Sequence, residues 1–249
     1  MKRKIANENL NQNSEIKKKP RVEPHSDKFK VYEAWLRSRG VTWSPLLQTT
    51  DVGVIAGTGV LALDFIPSGT VICRIPKAAC FGAPANSHVD DEPSDGDSQK
   101  RLAELYLKEK ALGDESDWKP FLDILQPAQC PYLWSSTAQS WLLGTDLPPV
   151  LSSKTARLKS GHNSLVNTLP SPVPYPTYLL ACSLISSVLN PWYGGTLTPF
   201  NVSLNCSSSP STTFTSSSDF VIGVTSRDIN KGEEITHAYC STKADLIYR

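Results

Sequence analysis

Three separated stretches hold the residues whose types and spacing could do chemistry. Gly57-Thr58-Gly59 is a Gly-x-Gly turn leading into the apolar Val60-Leu61-Ala62, Asn205-Cys206 closes the run that begins at Pro199-Phe200, and Gly232-Glu233-Glu234-Ile235 precedes Tyr239, five positions after the second glutamate. Glycines let backbone amides approach a ligand that side chains would hold off, and they serve equally in a strand-to-strand turn with no ligand. Asn205 offers an amide that both donates and accepts, and it also suits a turn or cap; Tyr239 offers a hydroxyl, or a core tyrosine at a strand end. Other chemistries are disfavoured. Cys73, Cys80, Cys130, Cys182, Cys206 and Cys240 form no C-x-x-C pair and His25, His88, His162 and His237 share no spacing, so no metal site is expected. No G-x-S-x-G elbow is present, which argues against a serine hydrolase.

The elements that must position these residues belong to one domain-sized chain. Its 249 residues, 39% hydrophobic with six tryptophans, describe a globular protein with one large core. No apolar run approaches the roughly 20 residues of a spanning helix, so no membrane partner is expected. The widely spaced cysteines read as reduced thiols in cytosol or nucleus, packed as small apolar groups. A net charge of +1 gives no general attraction to nucleic acid, and the basic clusters lack the interleaved aromatics that stack on bases. Residues 1–26 are expected to be a disordered basic arm. Within it, Lys2-Arg3-Lys4 and Lys17-Lys18-Lys19-Pro20-Arg21 flank twelve polar-rich residues, the form of a two-part signal for a nuclear import receptor over Lys2–Arg21. The charged start lacks the apolar core of a secretory signal, and the localisation expected is nucleus, cytoplasm or both.

From Asp27, read as an N-cap, Phe29, Tyr32, Trp35 and Leu36 share a helical face that Gly40 ends. Short strands are predicted at Val52–Ile55, Gly59–Ala62, Thr70–Ile75 and Phe220–Thr225, with turns at Pro67-Ser68-Gly69 and Asn230-Lys231-Gly232 and a last short strand through Ile235. Asn86–Gln99 and the Ser/Thr-rich Ser207–Ser218 read as loops. Helices are predicted at Lys100–Leu112, with Leu102, Leu105, Tyr106 and Leu112 inward, around Phe121–Leu125 and Thr137–Leu143, and at Tyr178–Leu189 before Pro191; Leu151–Ser171 shows only a weak pattern.

Taken in order, Gly57–Ala62 with Ile66-Pro67-Ser68-Gly69-Thr70 and Ile75-Pro76, then Pro199–Asn205, then Ser226–Tyr239, resemble the SET domain. Trp118-Lys119-Pro120-Phe121 and Leu143-Gly144-Thr145 further resemble the insert of the subgroup that methylates lysines of the RuBisCO large subunit and of ribosomal proteins. The resemblance covers residues 29 to 249 and implies an α+β fold, a SET-type β-clip of several small sheets, over 27–249 with a helical insert at about 98–190. It implies transfer of a methyl group from S-adenosylmethionine to a lysine of a protein substrate. Gly57, Thr58, Gly59, Asn205, Cys206 and Tyr239 are then the cofactor-binding candidates, and Tyr239 is the catalytic one, orienting the amine through its hydroxyl. The sequence departs from the family's pattern at Cys206, where a histidine usually stands, at Val188, where an arginine does, at Cys240 in place of a glycine, and at Pro210-Ser211 in place of Pro-Asn. It ends at Arg249, where relatives continue, so a truncated product or a non-catalytic interaction module is the alternative reading.

Overall fold

The computed structural model describes residues 26–50, 53, 55, 57–84, 97–165, 168, 169 and 171–239. The helices are α1 (Asp27–Ser38), α2 (Asp97–Leu112), α3 (Lys119–Leu122), α4 (Ser136–Ser140), α5 (Leu147–Leu165) and α6 (Tyr175–Val188). The strands are β1 (Thr42–Trp43), β2 (Leu47–Thr50), β3 (Gly59–Ala62), β4 (Val71–Pro76), β5 (Leu189–Asn190), β6 (Thr196–Leu197), β7 (Asn205–Cys206), β8 (Thr212–Ser216), β9 (Phe220–Thr225) and β10 (Thr236–His237). They form a four-stranded sheet in the order β1-β4-β9-β8 and three two-stranded pairs, β2-β3, β5-β6 and β7-β10. This is an α+β architecture of several small sheets, with α2 to α6 following one another between β4 and β5. No described helix is long and apolar enough to cross a membrane, and the basic arm, from Met1 to His25, lies outside the described residues.

Helix α1 buries Phe29, Tyr32, Trp35 and Leu36, the face its spacing predicts. It starts one residue earlier than expected. Ser26 is the cap and Asp27 sits in the first turn, where a carboxylate complements the helix dipole and meets Lys30 Nζ at 2.9 Å. The helix closes as a Schellman motif, with Gly40 at φ +76° and Val41 N donating to Leu36 O at 3.0 Å.

Four expectations need correction. The strand placed at Val52–Ile55 lies at Leu47–Thr50 instead, paired from Leu47↔Ala62 to Thr50↔Gly59; Gly53 and Ile55 are outside any strand, and Val52 and Val54 are outside the described residues. Thr49 and Thr50 are buried in it, as β-branched residues can be once their hydroxyls are paired. The Ser207–Ser218 loop contains β8, which pairs with β9 from Thr212↔Thr225 to Ser216↔Val221; Thr212 is buried and its hydroxyl donates to Thr236 O at 2.9 Å. The weakly patterned Leu151–Ser171 belongs largely to the 19-residue α5, which buries only Leu158 and Leu165, too sparse a stripe to signal amphipathicity. In α2, which begins at Asp97 rather than Lys100, Leu112 is exposed and Leu107 packs inward with Leu102 and Ala103. The rest of the expected Asn86–Gln99 loop falls outside the described residues.

An aromatic cluster joins α1 to the helical insert and to the end of β4. The Trp35 and Phe121 rings lie 5.7 Å apart and nearly parallel, Tyr32 stacks on Phe121 at 6.3 Å, and Trp118 meets Phe81 edge-on at 5.0 Å. Trp35 Nε1 donates to Asp117 O at 2.7 Å, so the indole is both packed and satisfied. Cys73 and Cys80 are buried free thiols, each pushed up to about 12 by burial, which fits a packing role. Phe121, with no exposure, is the hub of this cluster. Phe121→Ala is expected to lower the unfolding free energy by about 3–5 kcal/mol, read from urea denaturation, with Phe121→Leu losing less.

Candidate functional site

The pairing of β7 with β10 is parallel, Thr236 opposite Asn205 and His237 opposite Cys206. It lays the second and third chemically rich stretches side by side. The first joins them through β3: Leu61 bridges to Glu234, and Ile235 N donates to Val60 O at 2.7 Å.

Where the three meet, Asn205 Nδ2 donates to Thr58 O at 2.8 Å and to Glu234 Oε1 at 2.6 Å, which uses both amide hydrogens. The other oxygen of Glu234 accepts from Ile55 N at 2.8 Å. The carboxylate is buried under the turn, and a Cβ on Gly59 would stand 2.8 Å from both Glu234 Oε1 and Gly53 Cα. Gly59 therefore makes room for the carboxylate. Gly57 has φ +46° with open space around its Cβ position, so its requirement is conformational. Glu234 was legible as part of a motif but not as a site residue. Local periodicity gave no signal for it, because a strand that buries Ile235 turns its neighbour to the opposite face, and Glu234 is buried there only by the Gly59 turn packed over it.

Tyr239 joins this knot from the far side. Its hydroxyl donates to Leu204 O at 2.9 Å, the carbonyl just before Asn205. Its ring lies 4.9 Å from that of His237. The structure thus brings Thr58, Gly59 and Asn205 into one hydrogen-bonded group, sets Gly57 at the turn that enters it, places Cys206 opposite His237, and leaves Tyr239 half exposed beside them.

Tyr239 and His237 also wall a cavity of about 510 Å³, within the roughly 300–1,000 Å³ of small-molecule sites. Val188 at the end of α6, Asn201, Val202 and β8 complete its sides. No Lys, Arg, Asp or Glu side chain lines it among the described residues. Its one titratable base is His237, which burial pushes down to about 4, so the imidazole is neutral at physiological pH. This histidine was passed over in the sequence because it shares no spacing with the others. Among the described residues no group of three or more His, Cys, Asp or Glu side chains could hold a metal ion.

The residues lining this cavity enclose a volume that fits an organic cofactor of nucleoside size; of the candidate residues they include Tyr239 but not Gly57, Thr58, Gly59, Asn205 or Cys206. They supply no cation for a carboxylate, because Val188 stands at the cavity wall where the expected arginine would be.

Two measurements probe this geometry. Glu234→Ala removes two hydrogen bonds to a buried carboxylate and is expected to cost about 1.5–3 kcal/mol, with Glu234→Gln losing less because its amide oxygen still accepts; thermal melting of the two variants checks this. His237 sits well below its ordinary value of 6.5, so in acid the unfolded chain takes up a proton that the folded chain refuses. Its contribution is complete above about pH 6.5 and is lost as the pH falls towards 4. The unfolding free energy of His237→Gln should fall less steeply across that window than that of the parent.

The SET domain family model matches residues 57–240, well over half of the chain. The N-lysine methyltransferase setd6 of Xenopus tropicalis is 23% identical over 142 residues, covering 53% of this chain and 31% of that protein. The N-lysine methyltransferase SETD6 of Rattus norvegicus is 23% identical over 153 residues, covering 58% and 32%. Among solved structures, Rubisco LSMT bound to AdoMet aligns with a TM-score of 0.69 at 18% identity, covering 88% of this chain and 54% of that one. The SET domain of LSMT bound to lysine and AdoHcy aligns at 0.66, again at 18% identity, covering 87% and 54%. This chain spans about a third of the length of the curated relatives and about half of the solved chains. With the small sheets, the helices between β4 and β5 and the meeting of Gly57–Gly59, Asn205 and Glu234 all in place, the chain belongs to the SET domain family.

Proposed function

We propose that this chain carries the methyl-transferring site of a protein-lysine N-methyltransferase that uses S-adenosylmethionine. The observation that carries the reading is the convergence of Thr58, Asn205 and Glu234 next to the Leu204 carbonyl held by Tyr239, a residue that itself lines a cavity of ligand size. The names of the relatives and the ligands of the solved neighbours support it.

When bound, the cofactor supplies a methyl group activated on a sulfonium, to be passed in line to a neutral amine. The backbone of the Gly57–Gly59 turn would be the part of the chain that approaches it. Both hydrogens of the Asn205 amide are spent inside the protein, on Thr58 O and Glu234 Oε1, so this side chain serves the cofactor by holding the turn in place. Cys206, opposite His237, contributes backbone in place of the imidazole usual there. Tyr239 is fixed by its bond to Leu204 O, so its hydroxyl oxygen is oriented to accept from the substrate amine. A cavity wall without carboxylates does not stabilise a protonated lysine by ion pairing, which favours the neutral, nucleophilic form.

A non-catalytic SET-fold interaction module is the second reading. It is favoured by Val188 and Cys206 and by the absence of any cation for the cofactor's carboxylate among the described residues lining the cavity.

Calorimetric titration with S-adenosylmethionine separates the two. Under the transferase reading the parent binds and Asn205→Ala does not, while Tyr239→Phe keeps affinity and lowers methyl transfer on the order of a hundredfold. A folded parent with no detectable heat of binding would sink transferase activity for this chain and leave the interaction module. We also propose that Lys2–Arg21 engages a nuclear import receptor. A fluorescent fusion should concentrate in nuclei and spread through the cytoplasm once Lys17, Lys18 and Lys19 are changed to alanine; an unchanged distribution would refute that role.

A further inference from the structure

The helical insert holds a second cavity, of about 240 Å³, that shares no lining residue with the one Tyr239 borders. Arg157, Ser160, Gly161 and Ser164 of α5 line it together with Lys100 of α2 and Tyr178 of α6. The α5 positions are three or four apart and so share one stripe of the helix.

Gly161 explains how the space arises. Glycine is disfavoured inside a helix, and here the reason for it is steric, because a Cβ would stand 2.5 Å from the hydroxyl of the buried Tyr178. Helix α5 therefore approaches α6 closely at that point, and the small Ser160 and Ser164 on either side leave room open towards α2.

The charges around this room are of one sign. Lys100 and Arg157 make no ion pair among the described residues, and no Asp or Glu among them lines the space. Glu104, one turn along α2 from Lys100, lies outside the lining and is held by Lys108 Nζ at 2.8 Å. A third cation stands beside the lining residue Gln99, whose Oε1 accepts from Lys154 Nζ at 2.5 Å while its Nε2 donates to Cys182 O at 3.0 Å and to Ser186 Oγ. That side chain ties α2, α5 and α6 together at the cavity. Cations gathered around a space that no carboxylate lines repel one another, and a bound anion removes the repulsion.

Size and donor set narrow the anion. The volume is below the roughly 300–1,000 Å³ of pockets for larger organic ligands, so the occupant is compact. The Ser164 hydroxyl donates to Gly161 O at 2.7 Å and can turn that hydrogen towards a charged acceptor, which is the stronger partner. Cations from two separate helices, with serine hydroxyls between them, suit a dianion with three acceptor oxygens, whereas a single carboxylate would leave one cation unmatched.

We propose that this cavity is a phosphate-monoester site on the helical insert, formed by Lys100 and Arg157 with Ser160 and Ser164. The phosphate is recognised in the same way whether it is free or carried on a phosphorylated side chain. The site stands apart from methyl transfer and does not rest on it.

The test is calorimetric titration of the full chain at low ionic strength with inorganic phosphate, with phosphoserine blocked at both ends, and with blocked serine and blocked glutamate. Blocked phosphoserine is expected to bind at least about tenfold more tightly than blocked serine or glutamate. Phosphoserine binding more tightly than inorganic phosphate marks a phosphorylated side chain as the natural source; the reverse order, or equality, marks free phosphate. Lys100→Gln and Arg157→Gln should each weaken binding about tenfold by removing one charge-assisted contact. Lys159→Gln, which removes the same charge from the face of α5 turned to α4, should leave it nearly unchanged, as should alanine at Lys17, Lys18 and Lys19. Melting curves confirm that each variant is folded. Equal losses in all of these variants mark diffuse attraction to basic residues and overturn the proposal, as does a folded parent chain that binds neither phosphate compound or binds glutamate as well.

Discussion

Buried beneath a turn of glycines, the Glu234 carboxylate accepts one hydrogen bond from the backbone at Ile55 and one from the Asn205 side chain. A charge in that position is costly unless its oxygens are satisfied, and the partners come from stretches far apart in the chain. The arrangement works in both directions. The carboxylate needs the turn, and the turn keeps its shape because a charged acceptor waits under it. Gly59 is the enabling residue, since any side chain there would occupy the carboxylate's place. The parallel β7-β10 pair and the Leu61–Glu234 bridge set the depth at which this happens.

The helical insert is tied to the same framework by a different force. Trp118 and Phe121 pack against Tyr32 and Trp35 of α1 and against Phe81 just after β4, so a large apolar area is buried where insert and sheets meet. Through that contact, the end of α6 and the hairpin after it are delivered to one side of the cavity, and β8 and β10 form the other. The group around Glu234 is polar and hydrogen-bonded, and the cavity that Tyr239 borders is walled by uncharged side chains, several of them aromatic.

Much of this was legible in the sequence where one physical signal dominated. The α1 stripe of Phe29, Tyr32, Trp35 and Leu36, the glycine stop at Gly40 and the apolar runs of β3, β4 and β9 needed only periodicity and turn chemistry. The grouping of Gly57–Gly59, Asn205 and Tyr239 came from resemblance, because no local rule brings residues so distant together. What stayed hidden depended on tertiary partners. Strand β8 is mostly Thr and Ser, whose polarity suggested a loop until buried acceptors such as Thr236 O came within reach, and β2, half of it threonine, gave a weaker strand signal than the apolar Val52–Ile55. Helix α5 turns almost all of its surface outward, so its pattern has nothing to repeat. His237 looked isolated because what makes it notable is burial among rings, which spacing does not encode.

The parallel pairing of β7 and β10 also governs the order of assembly. Two neighbouring antiparallel strands close through a tight turn, but here residues 207–235, containing all of β8 and β9, separate the partners, and β3 lies still further back in the chain. Contacts of such long range pay the loop-closure entropy before they return any energy, so they form slowly. On a ribosome, Gly57–Gly59 and Asn205 emerge well before Glu234 does, and until the carboxylate arrives the turn has no charged acceptor to shape it. The turn therefore takes its final shape only after β8 and β9 have been made, and a nascent chain carries the α1 aromatic cluster ahead of the carboxylate that closes the Gly57–Gly59 turn.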